Sequence, residues 1–403
     1  MCNMSTGEIM GQGSLGAVGV VGAGAMGSGI AQVAAQAGHE VYLVDAIEGA
    51  ASRARERLAG TLAKLAEKGK LSAADAEAAT ARIHPVSSVE DLPPCEIVIE
   101  AIREVLADKV GLFTTLAGTQ PASTVLATNT SSLDVSEIAE PVSRPERVCG
   151  VHFFNPAAIM KLVEVVAAQR SDPQVLDRVT ELVRSWGKTP VRCKSTPGFI
   201  VNRVARPYYG EAQRIVENGH ADAATVDWAL KELAGFRMGP MELTDLIGHD
   251  VNYTVGESVW RQTGMDPRYE PTKIQRALVE SGDLGRKTGK GFFTYDADGK
   301  PVDAVVDKDL ARRLVGGPIE TDPVNRTLAM LVNEAVDLVA RGEATPEDVD
   351  VAMRLGTNYP KGPIEWGREI GFERVDAWLR ALNAAFPGGR YRPSPALLDG
   401  TLG

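Results

Sequence analysis

The sequence predicts an α/β domain with a parallel, doubly wound sheet, followed by two tandem all-α domains. Three observations carry this: a strand–turn–helix–strand unit over residues 15–45, alternating apolar runs and helical patterns up to about residue 195, and an internal repeat beyond it. The first unit opens with the apolar run 17–21. It passes through a glycine cluster into an alanine-rich stretch, 28–37, and closes with Val41–Val44 just before Asp45. A long helical pattern follows over 48–82, with Leu58, Leu62 and Leu65 on one buried face and Gly69 as a breaker. Further strands are expected at 96–101, 124–128, 148–152 and 162–166, with helices between most of them.

After Thr196-Pro197-Gly198 the strand patterns fade and long amphipathic helical patterns take over, which marks a domain boundary. Val201-Asn202-Arg203 then recurs as Val324-Asn325-Arg326, Glu211-Ala212 as Glu334-Ala335, and Val226-Asp227 as Val349-Asp350. Gly239-Pro240-Met241-Glu242 recurs as Gly362-Pro363-Ile364-Glu365, and Ile247-Gly248 as Ile370-Gly371. Every pair is separated by 123 positions (201 to 324, 248 to 371), so the chain carries two copies of one helical unit. Such a copy is expected to bury its apolar face against its twin. The expected organisation is a flexible tail over 1–14, a dinucleotide domain over 15–195, helical domains over 196–296 and 322–403, and a polar linker over 297–321.

The 403 residues include 24% charged and 44% hydrophobic residues, an ordinary globular composition. The formal net charge of -10 repels phosphate backbones and anionic lipid, which argues against nucleic acid or a membrane as partner. An anionic small substrate would need a local basic patch. Cys2, Cys95, Cys149 and Cys193 lie far apart without a CxxC and read as reduced thiols; no metal site is expected. The Gly-, Met- and Ser-rich start reads as a tail, not a signal peptide, and no apolar run has the length of a spanning helix. A cytoplasmic protein is expected.

Gly22-Ala23-Gly24-Ala25-Met26-Gly27 is a G-x-G-x-x-G that follows a strand, opens a helix and precedes a strand ending in Asp45. That context makes it the dinucleotide fingerprint of a Rossmann-type domain. Gly22 permits the tight turn, Gly24 lets the backbone approach a pyrophosphate, and Gly27 lets helix and strand pack closely. The helix N-terminus offers N–H groups and positive potential to the phosphates. Asp45 can accept hydrogen bonds from ribose hydroxyls and would repel a 2′-phosphate. No arginine follows it immediately, so NAD is favoured over NADP.

His152 stands at the end of the apolar run 148–152, where ligands bind in such sheets. Oxidising an alcohol needs a base for the hydroxyl proton, and neutral imidazole suits that role; a structural, buried histidine fits the residues equally well. Glu164 lies in the apolar stretch Lys161-Leu162-Val163-Glu164-Val165-Val166, where a carboxylate is costly unless paired. A strand–loop–strand return would bring it beside His152, to orient the ring and stabilise its charged form. The alternative is a solvated glutamate at a strand edge. Ser131, in Thr128-Asn129-Thr130-Ser131-Ser132-Leu133, reads either as a helix N-cap with Asp134 as its partner or as a hydroxyl that bonds a substrate oxygen.

These segments, with Met160-Lys161-Leu162-Val163-Glu164-Val165 and Pro197-Gly198-Phe199-Ile200-Val201-Asn202-Arg203, resemble the 3-hydroxyacyl-CoA dehydrogenase family over nearly the whole chain from residue 16. The resemblance implies NAD-dependent, reversible oxidation of (S)-3-hydroxyacyl-CoA, on a short-chain or dicarboxylic acyl group of fatty-acid or aromatic-acid catabolism. It implies His152 as base, Glu164 as its partner, and Ser131 and Asn202 as groups that position the substrate oxygen. It places Glu104, Lys109, Asn129, Ser131 and Asn155 near the cofactor with the glycine turn, Lys109 around the ribose. It places the CoA nucleotide on a helical hairpin near Thr61, Lys64, Lys68 and Lys70. Lys64 and Lys68 share a helical face and would supply the basic patch, unless that face is simply solvated.

Short family members carry one helical domain and dimerise through it. The second copy here is expected to act as a built-in partner within a monomer or homodimer, with one active site per chain. Asn325 repeats Asn202 without an attached dinucleotide domain, so a structural job for Val-Asn-Arg is expected as well. Two other readings remain open: a dehydrogenase of a free hydroxy acid or sugar acid, and a non-catalytic NAD-binding structural protein.

Overall fold

The computed structural model describes residues 15–400 and 402; the expected tail over 1–14 lies outside the described residues. One sheet holds β1 (Val18–Val21), β2 (Val41–Val44), β3 (Ile83–Pro85), β4 (Ile97–Glu100), β5 (Val125–Thr128), β6 (Val148–Phe153), β7 (Leu162–Ala167) and β8 (Thr189–Lys194). Their order across the sheet is β3-β2-β1-β4-β5-β6-β7-β8. The strands from β1 to β6 run parallel, and the central ones are apolar and buried on both faces, as a sheet covered by helices requires. The covering helices are α1 (Ala25–Gln36), α2 (Ala50–Glu67), α3 (Ala73–Ala81), α4 (Leu106–Thr119), α5 (Val135–Ala139) and α6 (Pro173–Ser185).

Between β6 and β7 the chain has only residues 154–161. That is too short for a parallel crossover, so β7 returns antiparallel to β6, and β8 then pairs with β7 in parallel. Strands β3 and β8 were not anticipated. They are the two edges of the sheet, carry Pro85 and Pro190, and expose polar residues, so they lack the apolar run that marks an inner strand. The expected helix over 48–82 is a hairpin of α2 and α3. Gly69 turns it at a φ of 66°, and Ser72 caps α3 by accepting from the Asp75 N–H.

The helical part holds α7 (Val201–Val204), α8 (Arg206–Glu217), α9 (Ala223–Ala234), α10 (Pro240–Ile247), α11 (His249–Gln262) and α12 (Lys273–Ser281). It continues with α13 (Lys308–Leu314), α14 (Pro323–Ala340), α15 (Pro346–Thr357), α16 (Pro363–Ile370) and α17 (Phe372–Ala385). Shifting α9, α10 and α11 by 123 positions reproduces α15, α16 and α17 residue for residue. The capping device repeats too: Asp227 accepts from the Met241 and Glu242 N–H groups, and Asp350 from those of Ile364 and Glu365. The continuous α14 corresponds to a broken pair, α7 and α8. Pro207 stands where the second copy has Met330, and a proline there removes a helical N–H. The stretch 297–321, expected as a polar linker, carries α13 on the first copy, with Ala311 buried.

Helix α14 is buried along most of its length against α8 and its own copy, with Met330, Leu331, Val332, Val336 and Leu338 in the core. Each such side chain stabilises the packing by about 1.5–3 kcal/mol. Through this apolar layer run two matching ion clusters. Arg203 Nε donates to Glu334 (2.7 Å), with Arg268 and the Tyr269 hydroxyl on the same carboxylate. Arg326 Nε donates to Glu211 (2.8 Å), with Arg390 and the Tyr391 hydroxyl on that one. The arginine of each copy thus meets the glutamate of the other, the reciprocity of a two-fold contact. Burial alone pushes the Glu211 carboxyl up, but Arg390, Arg326 and Arg214 outweigh it and hold the carboxyl at about 2.

Candidate active site

The glycine turn joins β1 to α1, and each glycine has a distinct steric reason. Gly22 has a φ of 107°, and a Cβ there would lie 2.5 Å from the Ala101 carbonyl oxygen. A Cβ at Gly27 would lie 1.7 Å from the Gly22 oxygen, while one at Gly24 would meet nothing within 4 Å. Gly22 and Gly27 close the turn and seat the helix; Gly24 leaves open space above the backbone. No side chain caps α1, whose first residues are Ala25 and Met26, and its first turn carries no acidic residue. Those free N–H groups and the open space fit a pyrophosphate. Asp45, just past β2, accepts from the Ala23 N–H (2.7 Å) and the Ile47 N–H (2.9 Å), beside a hollow of about 220 Å³ lined by 45–49, 51–52 and 85–87. The turn and the acid that would hold a ribose are thus tied together.

His152 and Glu164 are directly opposed residues of the β6–β7 ladder. The short antiparallel return brings them together: Nδ1 of His152 lies 2.7 Å from Oε2 of Glu164, and both side chains are buried. The other carboxylate oxygen, Oε1, accepts from the backbone N–H groups of Ile200 (3.1 Å) and Val201 (2.9 Å), at the start of α7. An ionised carboxylate only accepts, so the Nδ1 proton belongs to the histidine and Nε2 carries a lone pair. Nε2 makes no hydrogen bond among the described residues. The ring sits between Phe154 and Phe199, with centroids at 4.5 and 5.8 Å. Phe199 is held at a φ of 48°, a left-handed conformation imposed by the turn that leads into α7. Glu164 is therefore neither solvated nor at an edge.

Ser131 follows β5, whose neighbour in the sheet is β6. Its N–H donates to Glu104 Oε1 (2.8 Å), and its hydroxyl lies 3.4 Å from the same oxygen. The helix-cap reading of Ser131 is corrected: Asp134 caps α5, accepting from the Ser136 N–H, and Thr130 accepts from the N–H groups of Ser132 and Leu133. Asn129 accepts from the Phe153 N–H (2.8 Å), which ties the end of β5 to the residue after His152. The Asn202 amide has no hydrogen-bond partner among the described residues, whereas its counterpart Asn325 donates to Asp322, the cap of α14 (2.7 Å). The two asparagines of the repeat are thus used differently, and Arg203 and Arg326 carry the shared structural job.

Lys109 departs from expectation. It was placed at the ribose, but its side chain is 1% exposed and its ammonium lies 2.6 Å from Glu100 and 3.1 Å from Glu104. Its helix face is turned toward the sheet, so it holds Glu104 and offers no surface to a ribose. Glu100 was missed. It ends β4 as a buried carboxylate that also accepts from the Ile102 N–H and the Thr128 hydroxyl. The available signal was a charged residue closing the apolar run Ile97-Val98-Ile99.

A cleft of about 820 Å³ runs from the glycine turn to the α2–α3 hairpin. Gly24, Ala25, Ser28, Arg57, Thr61, Lys70 and Asn155 are among its lining residues. Asn155 thus faces the glycine turn, and Thr61 and Lys70 reach the same space. Lys64 and Lys68 are exposed on the same hairpin, as Thr61 and Lys70 are, but do not line this cleft. The basic residue missed there is Arg57, one turn before Thr61 on α2. Among the described residues no helix is long and apolar enough to cross a membrane.

Residues 17–196 match the family model for the NAD-binding domain of 3-hydroxyacyl-CoA dehydrogenase, and 198–295 and 323–399 both match the model for its C-terminal domain. The chain is 39% identical to a 3-hydroxyadipyl-CoA dehydrogenase of Escherichia coli (strain K12), over 96% of this chain and 97% of that protein. It is 41% identical to a probable 3-hydroxybutyryl-CoA dehydrogenase of Bacillus subtilis (strain 168), over 69% of this chain and 96% of that one. The crystal structure of a 3-hydroxybutyryl-CoA dehydrogenase from Escherichia coli K12 superimposes with a TM-score of 0.86 at 38% identity, covering 94% of this chain and 97% of that one.

Proposed function

We propose, from the premise that this chain belongs to the 3-hydroxyacyl-CoA dehydrogenase family and is an NAD-dependent dehydrogenase of 3-hydroxyacyl-CoA, that Nε2 of His152 takes the proton of the C3 hydroxyl. The observation that carries this is the His152–Glu164 pair, whose bond at Nδ1 leaves Nε2 as an acceptor. Glu164 keeps that tautomer and stabilises the imidazolium formed on proton uptake. The Asn202 amide and the Ser131 hydroxyl hold the substrate oxygen against Nε2. Phe154 and Phe199 exclude water from the ring. When bound, NAD would supply the nicotinamide that accepts the hydride leaving substrate C3. The open backbone at Gly24, the N–H groups of Ala25 and Met26, and Asp45 hold its pyrophosphate and ribose, Glu104 and Asn155 lie beside it, and Asn129 and Lys109 position the surrounding loops. Thr61, Lys70 and Arg57 face the CoA nucleotide. Reduction of a 3-ketoacyl-CoA follows the same path in reverse.

The division into a dinucleotide domain at 15–195 and helical domains at 196–296 and 322–403 is supported by where the sheet ends and the 123-residue shift begins. In the same reading, the second copy takes the place that a neighbouring subunit holds in shorter relatives. The reciprocal pairs Arg203–Glu334 and Arg326–Glu211 support that role, and it leaves one active site per chain. The substrate is a short-chain or dicarboxylic thioester, as in the names of the relatives. A cytoplasmic place of action is supported by the free thiols Cys95, Cys149 and Cys193.

The test is NADH formation from (S)-3-hydroxybutyryl-CoA by the wild type and by His152→Gln. The variant should lose several orders of magnitude in rate, about 4 kcal/mol or more, with NAD affinity unchanged. Near-normal turnover by the variant would remove His152 from the role.

A further inference from the structure

We infer that Arg206 is a specificity-determining residue whose guanidinium receives the terminal carboxylate of a dicarboxylic 3-hydroxyacyl-CoA. The inference rests on the reading of His152 and Asn202 above and narrows the substrate class of that site.

The ion-paired arginines of the helical part set the contrast. Arg203, Arg268, Arg326 and Arg390 each pair with Glu211, Glu334, Glu343 or Asp337. Arg206 has no carboxylate within 4.0 Å among the described residues. It donates from Nε to the Asn202 carbonyl oxygen (2.7 Å) and from Nη1 to the Asn252 carbonyl oxygen (3.3 Å), and lies 5.0 Å over the Tyr209 ring. Burial pulls its pKa below the ordinary arginine value, and no nearby acid restores it. A largely buried guanidinium without a counter-ion is costly, and its planar fork matches a carboxylate.

The repeat supplies an internal control. The residues that the packing of the two copies requires are retained: Arg203 recurs as Arg326, Glu211 as Glu334 and Asp227 as Asp350. The polar set around Arg206 is not. Arg206 corresponds to Ala329, Tyr209 to Val332, Gln213 to Val336, Asn252 to Val375 and Gly256 to Leu379. Gln213 and Asn252 are used to hold Thr272 and Gln275 at the start of α12, a helix without an α-helical counterpart in the second copy; Arg206 is the member of the polar set left without a polar side-chain partner among the described residues. It occurs only in the copy that adjoins the dinucleotide domain.

Its position fits that use. Asn202, whose free amide faces the reacting oxygen in the proposed mechanism, is four residues before Arg206, a rise of about 6 Å along a helix. The terminal carbon of a six-carbon thioester is three bonds beyond C3, about 4 Å when extended. Helix α11 walls this segment: Asn252 binds Arg206, a Cβ on Gly256 would lie 3.6 Å from Nη1, and Val259 packs on Gly198 beside Phe199. Arg206, Asn252, Gly256 and Gln275 open, with Arg268, Glu270 and Arg390, on a small hollow of about 30 Å³, room for a group about the size of one water.

The experiment compares kcat/KM for two six-carbon 3-hydroxyacyl-CoA thioesters that differ only at the far end, carboxylate against methyl, in the wild type and in Arg206→Gln. The wild type should favour the carboxylate on the order of 100-fold, and the variant should bring the ratio to about unity, whatever loss both substrates share. Equal efficiency in the wild type, or an equal loss on both substrates with the ratio kept, would overturn the inference alone. Turnover of neither thioester would overturn the dehydrogenase reading and this inference with it. Because Arg206→Gln can disturb Asn202 or folding, the wild type is also tested alone, with the two saturated six-carbon thioesters as competitive inhibitors. The dicarboxylic one should bind about tenfold more tightly at low salt, with the difference shrinking as salt rises; equal inhibition constants would overturn the inference.

Discussion

Glu164→Gln isolates what the buried carboxylate does for the base. The two side chains are nearly isosteric, so packing is preserved while hydrogen-bond polarity changes on one side only. In the wild type, Oε1 faces two donors, the N–H groups of Ile200 and Val201, and Oε2 faces Nδ1 of His152. The glutamine must keep its carbonyl oxygen on the two backbone donors, because an NH₂ group there would leave both N–H groups buried and unpaired. Its NH₂ therefore faces Nδ1. That nitrogen becomes the acceptor, the ring proton moves to Nε2, and the base can no longer accept from the substrate hydroxyl. A reversal of histidine tautomer by the same kind of exchange costs about 10⁴ in kcat in a serine-protease triad, or about 5 kcal/mol. The assay is single-turnover NADH absorbance with (S)-3-hydroxybutyryl-CoA at saturating NAD, beside a thermal melt and an NAD titration. The expected result is a loss of that order in the chemical step, with fold and NAD affinity retained. A folded variant whose rate stays within about tenfold of wild type would refute the tautomer argument.

Three further outcomes follow from the same geometry. NAD should give a higher kcat/KM than NADP, and Asp45→Ala should narrow the gap because the acid at the end of β2 is the group that repels a 2′-phosphate; a wild type that prefers NADP would contradict this. Truncation after about residue 300 should leave Glu211 without Arg326, Arg390 and Tyr391, and Arg203 without Glu334, so the fragment should aggregate or dimerise in light scattering, while calorimetry on the intact chain should give one NAD per chain. A soluble, fully active monomeric fragment would overturn the packing argument, and a stoichiometry of two the single site. The Glu211 carboxyl is held at about 2 against an ordinary 4.5, so its stabilisation, roughly 3 kcal/mol, is fully present above about pH 5 and is lost as pH falls toward 2. Melting temperature should fall over that window, and Glu211→Gln should flatten the decline; an equally steep decline in the variant would remove Glu211 as its source.

The parts of the site that sequence made legible are those set by local sterics or by chain length. The glycine turn could be assigned residue by residue because each glycine answers a clash or an opening within the turn and the adjacent strands. The short stretch between the apolar runs 148–152 and 162–166 offered a return of Glu164 to His152 as one of two readings, and the observed eight-residue connection, 154–161, makes that return antiparallel. Lys109 and Lys64 show where this reasoning stops. Both are lysines on helices, yet one is turned onto Glu100 and the other onto solvent, and the choice depends on which helix face the sheet receives.

By itself, then, the sequence determined the doubly wound domain, its cofactor turn, the apolar runs that carry His152 and Glu164, and the two helical copies, because each is written in short-range pattern or in a constant shift. Tertiary structure alone decided how the copies cross. Arg203 and Glu334 are 131 positions apart, and nothing in either neighbourhood names the other. It also decided that Asn325 is spent on a cap while the Asn202 amide stays free. Identical tripeptides were separated there by what each helix start is packed against: Asp322 at one, the carboxylate of Glu164 at the other. A hydrogen bond is settled by position in space, and that position is fixed only when the sheet and both copies are assembled.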